Sequence, residues 1–148
     1  MAQDRNLQIL GLAKKAGLLA IGEESAGVAA RSGRAVLIIS ASDASERALR
    51  NAKINAEAGF ALCAEVPYTK FELGNMTGRG SPGTVAFLDT GLATRFLKGL
   101  AQTQPEPFKE LWEYLESPPP QERHREKPAR QADSTPTGNT SGNRRTMQ

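Results

Sequence analysis

Residues 35–41 read Ala-Val-Leu-Ile-Ile-Ser-Ala, an apolar run with no polar alternation until its end. A strand with one wet face alternates apolar and polar side chains, so a run without alternation belongs to a strand covered on both faces. Covering both faces of a sheet takes helices on both sides. That commits the chain to layers of helix, sheet and helix.

The flanking segments supply those layers. Leu7, Ile9, Leu10, Leu12 and Ala13 predict a helix ending near Gly17, and residues 18–21 a brief strand. Residues 23–32 predict a second helix, stopped at Ser32-Gly33. Asp43 or Ser45 is placed to cap a helix reaching about Ala58, with Ala48, Leu49, Ala52 and Ala56 inward. Residues 60–66 read as a strand, and Thr69-Lys70-Phe71-Glu72 has the Thr-x-x-Glu form of a capping box opening a short helix. Residues 84–89 form the last strand, and Thr90 to Leu100 a closing helix with Leu92, Phe96, Leu97 and Leu100 inward. The expected fold is α/β: a three-layer α/β/α sandwich around a small mixed four-stranded sheet.

Composition breaks near Gln102, which sets a domain at 1–102 and an appendage at 103–148. The appendage opens with a helical run in which Phe108, Leu111, Trp112 and Leu115 share a face, free to dock through Trp112 or to stand clear. From Ser117 the chain is polar and proline-bearing. It cannot bury enough surface to offset its ordering entropy, so a disordered tail is expected. Residues 1–102 hold 12 Lys/Arg and 9 Asp/Glu, so the net charge of +3 resides in the domain. That suits weak attraction to nucleic acid without demanding it. No apolar run is long enough to cross a bilayer, the first residues lack a secretion-signal plan, and a lone cysteine excludes an internal disulfide framework. A cytoplasmic protein with no membrane partner is the expectation.

Catalytic patterns fail on context. Gly78-Arg79-Gly80-Ser81-Pro82-Gly83 matches G-x-G-x-x-G, but it follows a helix and precedes a strand, the reverse of a dinucleotide loop, and Pro82 lacks an N–H. The stretch reads as a mobile glycine-rich loop. The single histidine, His124, falls in the tail, and Cys63 sits in a strand, where a thiol serves as a small core residue. Asp43 and Ser45 are explained by capping, and Glu65, Glu72 and Asp89 have no partner in sequence. No catalytic residue, metal ligand or cofactor is expected, and the chain reads as a non-enzyme.

The stretches Leu7 to Glu24, Gly33 to Ser45, Glu72 to Gly78 and Thr84 to Leu100 resemble, in that order and spacing, the ribosomal protein L-seven-Ae family, and its small bacterial ribosomal-like branch in particular. The likeness spans roughly residues 5–101, with Gly11-Leu12-Ala13-Lys14-Lys15-Ala16-Gly17 leading. It implies an RNA-binding α/β/α sandwich without catalysis. Such proteins grip kink-turns, bent RNA helices built on tandem sheared G·A pairs, with the start of the second helix and the loop before the last strand.

The family carries a Gly-Thr-Asn-Glu-x-x-Lys signature at the start of its second helix, and on this chain Gly22 matches the glycine. Glu23 and Glu24 take the Thr and Asn places, Ser25 the Glu place, and Val28 the Lys place. A carboxylate at Glu24 can accept from guanine, whereas Val28 supplies no cation for phosphate. Acids in a first turn also complement the helix dipole, an equal account of Glu23 and Glu24. Gly27 suits close packing. Lys14 and Lys15 fall on successive faces of the first helix, with solvated lysines the simpler reading. Of Arg31 and Arg34, the latter matches a basic family position, and Arg79 lies in the family loop. The candidate RNA-binding residues are therefore Gly22, Glu23, Glu24, Ser25, Arg34 and Arg79. The expected partner is structured, kink-turn-like RNA, ribosomal RNA included, in a ribosome- or RNA-particle-associated role. The alternative is a protein-interaction module on the same fold with weakened RNA affinity, favoured by Val28 and the Glu23-Glu24 pair.

Overall fold

The computed structural model describes residues 2–116, with side chains from Arg5 onward. The chain divides into two units, Met1–Trp112 and Glu113–Gln148. The tail from Ser117 onward, with His124, lies outside the described residues.

In chain order the elements are α1 (Ala2–Lys15), β1 (Leu19–Ile21), α2 (Glu23–Arg31), β2 (Leu37–Ser40), α3 (Glu46–Ala58), β3 (Leu62–Glu65), α4 (Lys70–Thr77), β4 (Thr84–Phe87), α5 (Thr90–Ala101) and α6 (Pro105–Glu116). The strands form one mixed sheet in the order β1-β4-β2-β3. β2 and β3 run parallel through α3, while β4 is antiparallel to β1 and to β2. All four residues of β2 are buried, and the strand is internal to the sheet, which accounts for its missing alternation.

The two faces are packed differently. On one, Ala26, Ala29 and Ala30 of α2 and Ala52 and Ala56 of α3 cluster with Ile38 and Ala86 of the sheet. Small side chains draw these helices close. On the other, Leu37, Ile39, Val85 and Phe87 meet large residues of the α1 and α5 layer, including Leu10, Phe96 and Leu97, all fully buried. The Phe96 ring lies 5.2 Å from that of Phe87 and 6.2 Å from that of Tyr68. Along α1 the buried stripe is Asn6, Ile9, Leu10 and Ala13. Leu12 falls off that stripe and is 54% exposed.

Capping follows local chemistry with one exchange of roles. Ser45, not Asp43, caps α3, its hydroxyl accepting from the Ala48 N–H at 3.1 Å. Asp43 instead accepts from the Lys70 N–H at 2.9 Å, serving the first residue of α4. The capping box forms as expected: the Glu72 N–H donates to Thr69 Oγ1, and the Thr69 N–H to Glu72 Oε1. Glu106, held extended by the proline that follows, interrupts the start of α6. The compact unit continues past Gln102 because Phe108 is buried at 2% exposure. Trp112 contributes beneath a cation, with Lys98 Nζ 4.8 Å from its ring centre. Among the described residues no helix is long and apolar enough to cross a membrane.

Candidate functional site

One strand pairing brings the two segments of interest together. β1 pairs with β4 so that Ile21 faces Val85. The residue after β1 therefore meets the residue that begins β4, and the Gly22 N–H donates to the Thr84 carbonyl at 2.9 Å. Gly22 opens α2, and Thr84 closes the loop 78–83. The turn after β2 joins the same rim, since the Ala41 N–H donates to the Gly83 carbonyl at 2.9 Å.

Gly22 holds φ 101° and ψ 156°, a region closed to most side chains. No side chain caps α2. Its first-turn N–H groups and the positive end of its dipole are thus available to an acceptor. The two glutamates diverge. Glu23 Oε2 accepts from Asn51 Nδ2 at 2.8 Å and lies 3.8 Å from Arg47 Nη1, tying α2 to α3. Glu24 and Ser25 are exposed. An open groove between α2 and α3 is lined by Glu23, Glu24, Arg31, Asn51, Ile54 and Asn55. Within it Arg31 Nη1 donates to Asn55 Oδ1 at 2.9 Å, directly above Gly27, where a Cβ would crowd both. Gly27 therefore serves the packing of α2 on α3.

Arg34 stands beyond the far end of α2, a helix roughly 13 Å long by helical rise that opens after Gly22, and its Nε donates to Ser32 Oγ at 3.2 Å. The fold does not bring it to the rim. Arg79 lies in the loop that ends at the rim. Gly78 closes α4 in the left-handed conformation, and Arg79 follows it, exposed along with Gly80 and Ser81. The loop lies against the rest of the fold at Gly80 and at Pro82. Gly80 lies so close over α4 that a Cβ on Gly74 would collide with its carbonyl, and Pro82 is buried.

Two cations at this loop were not among the expected site residues. Lys70 sits at the first position of α4, its N–H held by Asp43, and its Cδ would lie 3.7 Å from a Cβ on Gly83. Lys14, read as solvated, points its Nζ to within 3.5 Å of where a Gly78 Cβ would be. Nothing in the local sequence marks either. Lys70 is hidden inside its capping box, and Lys14 reaches the loop only because α1 packs on α4. Lys14 thus reaches the loop at Gly78, Arg79 follows in sequence, and Lys70 lies against Gly83.

Cys63 is half-buried in β3. Burial raises its thiol above the ordinary value, opposed by the nearby charge of Lys53. Such a thiol stays protonated at neutral pH and is a poor nucleophile.

Neither protein families nor curated proteins give a match to this chain. Solved structures do. A protein of unknown function from Bacillus halodurans superposes with a TM-score of 0.58 at 24% identity, over 64% of this chain and 95% of that one. The 15.5 kDa RNA-binding protein of Giardia lamblia superposes with a TM-score of 0.53 at 15% identity, over 70% of this chain and 88% of that one. At these identities the likeness is one of fold.

Proposed function

We propose that the chain is a non-enzymatic binder of structured RNA of the kink-turn kind, of L-seven-Ae type, and acts in a ribosomal or other RNA particle. The observation that carries this reading is the Gly22 N–H to Thr84 carbonyl bond. It sets the uncapped opening of α2 beside the loop 78–83, the two elements with which the resembled family grips RNA. The exposed N–H groups of α2 suit phosphate or base acceptors, and Glu24 can accept from a guanine edge. Lys14, Lys70 and Arg79 supply backbone charge that Val28 does not. The fold shared with an RNA-binding protein of Giardia lamblia supports the same reading.

The test is a titration of the full chain against a kink-turn RNA and against the same duplex with Watson–Crick pairs replacing its G·A pairs. Preference for the kink-turn is expected. Equal, salt-sensitive binding to both reduces the activity to charge attraction. Absence of binding to both favours the second reading, a protein-interaction module on this fold. That reading draws on Glu23, whose carboxylate is occupied by Asn51 and Arg47, and on Val28, 44% exposed where the family carries lysine.

A further inference from the structure

We infer that the outer stripe of α2 is a self-association surface, on which a second copy of the chain lays its own α2 antiparallel about a two-fold axis beside Val28. Glu24 of each copy then pairs with Arg31 of the other. The inference stands apart from the RNA reading, and its test needs no RNA. Glu24, Val28 and Arg31 follow one another at i, i+4 and i+7, a single stripe of a helix, and all three are exposed. Glu24 and Arg31 also line the open groove that holds Ile54 of α3. Val28 is 44% exposed and Ile54 56%, so apolar surface lies between and beside the two charges.

The order of the charges decides the occupant. Glu24 and Arg31 are seven residues apart, about 10 Å along the axis, too far to pair with each other. Among the described residues neither makes an ion pair, whereas Glu23 is held by α3. Arg31 gives Asn55 one of its five N–H groups. The midpoint between Glu24 and Arg31 falls next to Val28. A second α2 reversed about that midpoint sets each carboxylate opposite a guanidinium and valine against valine. Such a contact is isologous: one patch, complementary to itself. The reversal also places the positive end of each helix beside the negative end of its partner. An RNA strand would meet a single cation here and a repelling carboxylate. An unrelated protein would need a matching base-apolar-acid stripe, which a second copy carries already. The nine residues of α2 span about 13 Å. A contact of that length covers less than the roughly 800 Å² per partner of a standard stable interface. The dimer is therefore weak, forms as concentration rises and loosens with salt.

The experiment is sedimentation equilibrium of the full chain over a range of concentrations. It compares the wild type, Glu24→Arg, Arg31→Glu, the double variant and an equimolar mixture of the two single variants. The wild type is expected to dimerise as concentration rises. Each single reversal sets like charges face to face at both pairs and should weaken the dimer at least about tenfold. In the mixture both pairs are opposite in sign again, so it should dimerise where neither variant does alone, and the double variant should match the wild type. Both positions are exposed, so the variants should melt with the wild type. Should one fail to fold, Val28→Asp puts two carboxylates at the axis and is expected to abolish the dimer; retention of the dimer overturns the inference. A wild type that is monomeric throughout overturns it, and if Glu24→Arg then alters RNA affinity, RNA covers the stripe instead. A dimer indifferent to both reversals, or single variants that stay monomeric when mixed, places the contact elsewhere and also overturns it.

Discussion

Glu23 and Glu24 are adjacent and chemically identical, yet α3 engages only the first. Asn51→Ala removes the amide that holds Glu23 and is expected to destabilise the fold by about 1 kcal/mol in urea unfolding. Glu24→Gln should leave stability within about 0.5 kcal/mol and change RNA affinity instead. Equal stability losses in the two variants would contradict this division. The difference was not legible in sequence, because it depends on the angle at which α2 meets a helix 28 residues away along the chain. Arg79 stands out in the sequence alone: a cation among glycines has nothing to pack on. Arg79→Ala should weaken RNA binding and lower the slope of log affinity against log salt by about one unit. An unchanged slope removes Arg79 from the interface.

At the scale of elements, α4 and the loop after it behave as one part. Gly74 has no room for a Cβ because the loop backbone lies over it. Gly74→Ala is therefore expected to cost about 1–3 kcal/mol and, by displacing Arg79, to weaken RNA binding beyond what lost stability explains at low temperature. A destabilised variant with full affinity would detach the loop from the site. The elements themselves were readable where Ser45 and Thr69 cap their helices through contacts three residues long, whereas Asp89, read as a carboxylate without a partner, caps α5 by accepting from the Leu92 N–H at 2.9 Å. What local signals did not reveal was the exchange by which Asp43 serves α4, or the approach of Lys14 to Gly78. Both require two distant segments to be packed first.

For the whole molecule, the compact unit includes the start of α6. Phe108→Ala should lower global stability by about 3–5 kcal/mol, measured by denaturant unfolding of the full chain. A loss below about 1 kcal/mol would mean that α6 is only laid against the surface. Stability should also fall in alkali through Cys63. Its thiol is raised by burial above the ordinary 9.0, so the unfolded chain releases this proton first as pH rises. The contribution is complete below the unfolded pKa and is lost progressively above about pH 9. Cys63→Ala should flatten that part of the stability curve, and parallel curves for the two proteins would refute the assignment.

The sequence by itself determined the layers. An unalternating, β-branched run at residues 35–41 is the mark of an inner strand, and caps, glycines and apolar spacing act over a few residues, so they read directly. Tertiary structure decided which of the candidate residues come together. Strand order β1-β4-β2-β3 joins residues 62 positions apart, Gly22 and Thr84, by one backbone hydrogen bond. It also leaves Arg34 at the far end of α2 and turns Lys14 and Lys70 toward the loop. Backbone pairing across a sheet carries no local side-chain signature, which is why the elements of this protein were legible before their arrangement was.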